Sequence, residues 1–176
     1  MELRRSLNGA VAGATAAAVW AAQQPLDKRL FGSNYDDVEL LGKLVTRGSS
    51  WPAAGLGLHL LNGAAFGAVY ALVRPVAPAP ALVAGAGAGL AEHLALWPLG
   101  GLVDRYHPAR SGLHPLIGNR RAFAQATWRH LLFGLVLAEL ERRMNSTARF
   151  EPLEPVPVSS NGHGDIEQAA VATGES

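Results

Sequence analysis

WPAAGLGLHLLNGAAFGAVYALV, residues 51–73, is the stretch on which the reading of this chain turns. It contains no acid and no base, and its strongly polar side chains are His59 and Asn62. Trp51 is an aromatic of the kind that settles at a membrane interface, and Pro52 suits the first turn of a helix, where its missing N–H leaves nothing unpaired. From Ala53 to Val73 the run meets the roughly 20 residues that a helix needs to cross about 30 Å of hydrocarbon.

Three further apolar segments flank it, at 7–22, 76–103 and 122–138. The first is short but extends through Gln23 and Gln24 towards Pro25. The third carries Glu92 and His93 near its middle, and the fourth is interrupted by Arg129 and His130. A soluble bundle would show charged outer faces at a period of about 3.6 residues. The first three segments have none. The expectation is therefore an all-α, polytopic membrane four-helix bundle in residues 1–144, with spans at about 6–26, 52–74, 77–104 and 120–141.

Composition agrees. Hydrophobic residues make up 49% of the chain and charged residues 16%, against about 25% charged in a soluble domain. Mean hydropathy is a modest +0.13 because much of the apolar content is Ala. With no Cys, disulfides, thiolate catalysis, iron–sulfur clusters and Cys-type zinc sites are excluded. A net charge of +1 with no basic run interleaved with aromatics argues against nucleic acid as a partner. The Arg-for-Lys bias and the abundant Ala and Gly read as GC-rich coding, so the setting expected is a multi-pass protein of a bacterial cell membrane, with membrane lipids as partners and a homo-oligomer as an option.

Arg4-Arg5 ahead of an apolar run, with Val19-Trp20-Ala21 behind it, also has the outline of a secretory leader. An internal echo favours a retained helix instead. Trp20, Asp27 and Lys28 recur 77 positions later as Trp97, Asp104 and Arg105, and Gly9-x-x-x-Gly13 recurs 76 positions later as Gly85-x-x-x-Gly89. His59-Leu60-Leu61 resembles His130-Leu131-Leu132, and Phe66-Gly67 resembles Phe133-Gly134, at offsets of 71 and 67. Two tandem helical hairpins, related as a parallel repeat, would produce such a pattern. Gly9, Gly13, Gly63, Gly67, Gly85 and Gly89 fall four apart in pairs, the spacing that lets helix backbones approach closely where lipid supplies no hydrophobic drive.

Between the first two spans, Val38, Leu41 and Val45 have helical spacing after the capping residues Ser33-Asn34 and acids Asp36, Asp37 and Glu39, which predicts a short helix on the membrane surface. Pro78 and Pro80 force a tight second connection. The third, 104–119, is rich in Pro and Gly and should be irregular, with Asp104 to Pro108 and Asn119 to Arg121 anchoring at headgroups. Loops one and three carry eight Lys and Arg, and the opposite face six, which sets no orientation. Residues 145–176, with three prolines and a Ser/Gly/Asn run, read as a disordered polar tail.

Ionisable groups inside spans are costly and are candidate functional groups. Arg129 falls about 14 Å in from the start of the fourth helix and Glu92 about 18 Å in from the end of the third, on the same side of the membrane. The expected site is an intramembrane polar cluster of Asn62, Glu92, His93, Arg129 and His130, with Glu92 and Arg129 as an ion pair. No enzyme, cofactor or metal signature accompanies it. A structural or interaction role leads, a small transporter or channel-like assembly is the alternative, and an intramembrane enzyme is distant.

Overall fold

The computed structural model describes residues 2–146, and these residues form an all-helical bundle without strands. The 147–176 part of the expected tail lies outside them. Six α-helices follow in order: α1 (Glu2–Phe31), α2 (Asp37–Val45), α3 (Trp51–Val73), α4 (Ala81–Leu96), α5 (Gly100–Tyr106) and α6 (Arg120–Ser146). The 3₁₀ turn Trp97–Leu99, which contains Pro98, links α4 to α5 as one interrupted rod. Among the described residues, Trp51–Val76 and Ala81–Tyr106 are the two stretches long and apolar enough to cross a membrane.

Backbone chemistry sets several of these bounds. Pro52 begins α3 at its first turn, as its sequence suggests. α1 does not end at Pro25 but runs six residues beyond it, to Phe31, where Gly32 at φ +58 closes the helix and the Ser33 N–H returns to the Lys28 carbonyl. α6 likewise runs past 141 to Ser146, because Glu141 and Asn145 are buried against α1: Arg5 reaches Glu141 and Asn8 bonds Asn145.

Small residues govern which helices meet. A Cβ on Gly13 would lie 2.0 Å from the Gly63 carbonyl oxygen, and one on Gly9 would lie 2.3 Å from that of Gly67, so α1 and α3 touch backbone to backbone. In the same way Gly85 faces the Gly134 carbonyl at 2.2 Å and Gly89 that of His130 at 2.3 Å, joining α4 to α6. α1 also packs along α6. The order around the bundle is therefore α3, α1, α6, α4, and α3 and α4 flank a gap instead of packing on each other.

The expected surface helix α2 is not isolated. Gly42 and Gly55 bring it against the start of α3, and the His107 imidazole donates from Nε2 to the Leu40 carbonyl at 3.1 Å, pinning the third loop to it. That loop is itself ordered by Asp104, whose carboxylate accepts the Leu116 and Ile117 N–H groups. Asp36 rather than Ser33-Asn34 caps α2, accepting the Glu39 N–H at 2.9 Å and Lys28 Nζ at 2.6 Å. Burial is the largest influence on the Asp36 carboxyl and pushes it up, but the bonds from Lys28 and Glu39 outweigh it and leave the group below its ordinary value. Its stabilisation is thus complete above the unfolded-state value and lost as pH falls through the folded one. Asp36→Ala should cost about 1 kcal/mol and weaken the acid limb of the thermal-stability curve below about pH 4; an unchanged acid limb would contradict the assignment.

Candidate functional site

The interior combines an apolar cluster around Trp20, Phe133 and Leu137 with large buried polar side chains, and much of the surface is apolar. Its largest fully buried side chains include Arg129, His93, Gln125 and Asp27, whereas Leu61, Val69 and Val83 are more than half exposed. Only 28% and 17% of the most apolar windows of the two long stretches are buried inside the protein. A soluble core helix has the opposite pattern, since burying a charge and exposing contiguous leucine both cost free energy in water.

Arg129 is the centre of the buried polar network. Its Nε and Nη2 donate to the two oxygens of Asp27 at 2.6 and 2.7 Å, a bidentate fork. Nη1 donates to Asp37 at 2.7 Å and Nη2 also to the Tyr35 carbonyl at 3.1 Å. Gln125 and Gln23 donate to Asp27, and the Tyr35 hydroxyl donates to Asp37. Burial above all, then the neighbouring Asp37 carboxylate, hold the Tyr35 phenol well above its ordinary pKa, so it stays protonated and donating. The expected Glu92–Arg129 pair is not formed. Continuation of α1 past Pro25 brings Asp27 to Arg129 first, and the α2 turn adds Asp37.

Beside this network lies a cavity of about 250 Å³ lined by residues from all six helices. Asn62, Glu92, His93 and His130 of the expected cluster line it, joined by His59 and Asp37, while Arg129 does not. Aromatic rings form much of the rest. Trp20 stands edge-on to His59 and His130 with centroids 5.1 and 4.7 Å away, His93 and His130 are 4.9 Å apart, and Trp97 packs against His93 at 5.4 Å. Tyr35, Phe66 and Phe133 complete the walls. Of the lining residues, Asn62 on α3, Leu96 at the end of α4 and Leu99 in the turn after it are exposed, beside the α3–α4 gap.

Among the described residues, two lining groups are buried without a partner: the indole N–H of Trp20 and Nε2 of His59. Buried polar atoms are nearly always bonded, so such orphans mark a place where something else can bind. Among the described residues no three of His, Asp and Glu come together to hold a metal ion. Comparison with family models, curated proteins and solved structures yields no match to this chain.

Asp27, Asp37, Gln125 and Tyr35 are missing from the sequence-derived cluster. One signal pointed to Asp27: Gly9, Gly13, Trp20, Gln24 and Asp27 share one helical stripe, provided that the helix is carried one turn through Pro25. Tyr35 comes from the connection between α1 and α2 and Asp37 from the first residue of α2, and neither left a periodic trace.

Proposed function

We propose that this chain is a multi-pass integral membrane protein whose four long helical segments, α1, α3, α4–α5 and α6, enclose a binding cavity for a small solute, the arrangement of a small carrier or channel-like assembly. The observation that carries this reading is the convergence of Asp37, His59, Glu92, His93 and His130 on one cavity, with the Trp20 and His59 nitrogens buried and unpartnered, inside a bundle whose outer face is apolar. A purely structural lock accounts for Arg129, whose donors are well used, but leaves this cavity without a role. Pockets of this kind, apolar and aromatic with a few convergent polar groups, are the usual form of small-molecule sites.

Two tandem hairpins are part of the proposal. Gly9 faces Gly67 as Gly85 faces Gly134, and Gly13 faces Gly63 as Gly89 faces His130. The offsets are 76 for the first member of each pair and 67 for the second, the spacings of two of the echoes in the sequence. An even number of crossings per hairpin places both in one orientation. The packed α1–α6 interface then has the open α3–α4 gap as its counterpart, so the cavity opens where the repeat is incomplete.

The test begins with membranes washed in alkaline carbonate, which should retain the protein. In a Trp51→Phe/Trp128→Phe background, the emission of Trp20 and Trp97 in lipid nanodiscs should shift saturably with benzyl alcohol, a solute small enough for the cavity. Release by carbonate overturns the membrane reading, and emission that does not respond overturns the cavity.

A further inference from the structure

The hydrogen bonds assign the cavity a chemical preference. Thr127 Oγ1 lies 2.8 Å from the Phe123 carbonyl oxygen and 2.9 Å from His93 Nε2. A carbonyl only accepts, so the single hydroxyl hydrogen goes to Phe123, and His93 Nε2 must carry the proton that it shares with Thr127. Neutral His93 then keeps Nδ1 as a lone-pair acceptor. His130 Nδ1 lies 2.8 Å from the Ala126 carbonyl and must donate for the same reason, which leaves Nε2 as its acceptor. Glu92 lines the same cavity and, among the described residues, has no hydrogen-bond or ion-pair partner.

Charge points the same way as hydrogen bonding. Among the described residues no Lys or Arg lines the cavity, Asp37 shares the single Arg129 with Asp27, and Glu92 has no basic partner, so the balance of groups at the cavity is acidic. Trp20, Trp97, Phe66 and Phe133 line the cavity, and aromatic rings of this kind attract an organic cation. Exposed Leu96 and Leu99 line the cavity beside the α3–α4 gap and give that side an apolar approach.

We propose that the cavity takes a small lipophilic amine, bound as its ammonium, which enters sideways between α3 and α4 and sets its N–H groups against Glu92 and the free imidazole nitrogens of His93 and His130. An anion would meet Glu92 and Asp37 with no lining base to balance them, whereas an ammonium supplies the counter-charge that favours the Glu92 carboxylate. A volume of about 250 Å³ exceeds the roughly 150 Å³ that accommodates benzene, which leaves room for one ring and a short aminoalkyl group. The Trp20 N–H supplies a donor to an oxygen on the same molecule or to a water that accompanies it.

This inference rests on the solute-binding reading above, and three probes of similar size separate the two. Benzylamine, benzyl alcohol and benzoate are titrated against the protein in phosphatidylcholine nanodiscs, with emission of Trp20 and Trp97 as readout. Benzylamine should bind at least about tenfold more tightly than benzyl alcohol, a factor worth about 1.4 kcal/mol, and benzoate should be weakest. Glu92→Gln should abolish the preference for the amine, with helical content and thermal unfolding in the same nanodiscs reporting that the variant is folded. Glu92→Asp, keeping the charge, should retain it. Equal or tighter binding of benzyl alcohol or benzoate by the unmodified protein overturns the amine assignment but not the cavity; a lack of binding by all three overturns both. A preference for benzylamine that survives in Glu92→Gln overturns the role given to Glu92.

Discussion

Arg129→Gln is expected to lower the unfolding free energy by about 3–5 kcal/mol, the cost of breaking a buried ion pair by removing one partner. Arg129 is fully buried, and its guanidinium is the group that lies between the carboxylates of Asp27 and Asp37. Without it, both acids face each other in the interior, and one must take up a proton or draw in water. Lys at this position should recover little, because an ammonium cannot make the two parallel bonds to Asp27 that the planar fork makes. Asp27→Asn in the Arg129→Gln background should restore part of the loss by removing one stranded charge. Glu92→Gln, by contrast, removes no bond and should stay within about 0.5 kcal/mol of the parent. Thermal and denaturant unfolding in one detergent measures all four. An Arg129→Gln protein as stable as the parent would mean that the network does not lock the bundle.

Gly13→Ala should be nearly as damaging, although it adds a single methyl group. The new Cβ would lie 2.0 Å from the Gly63 carbonyl oxygen, and the obstacle is backbone, which cannot swing aside as a side chain can. α1 and α3 must separate along the whole contact, so a loss at or above the usual 1–3 kcal/mol for overpacking is expected. Gly85→Ala should behave alike against Gly134, where Gly85's new Cβ would come 2.2 Å from the carbonyl oxygen. Gly57 and Gly87 provide the control. A Cβ at either meets nothing within 4 Å, so Gly57→Ala and Gly87→Ala should be neutral or stabilise by up to about 1 kcal/mol through helix propensity. A tolerated Gly13→Ala alongside a harmful Gly57→Ala would reverse the packing described.

The contrast between these glycines bears on how much could be read from the chain. Spacing alone picked out the packing pairs in α1, α3 and α4, because residues four apart share a helix face whatever lies opposite. It did not reveal Gly42 and Gly55, which meet across the α2–α3 junction, since neither has a small neighbour at that spacing on its own helix. For the site, Asn62, Glu92, His93 and His130 were legible as polar interruptions of apolar runs. Arg129 was legible too, but its partner was misjudged. Depth from the helix ends ranked Glu92 as the nearest acid; depth says nothing about the direction in which a side chain leaves its helix.

What the sequence determined by itself is local and periodic: helices throughout, their approximate bounds, small-residue stripes, and polar groups in apolar surroundings. Those follow from interactions among neighbours a few residues apart and from the balance of apolar and charged side chains. Only the tertiary structure decided that Asp27 and Asp37 share Arg129, that α2 folds back over the bundle, and that α3 and α4 stand apart around a cavity. Each of those depends on the rotation of one helix relative to another and on the path of a turn, quantities set by close packing between residues as much as a hundred positions apart in the chain.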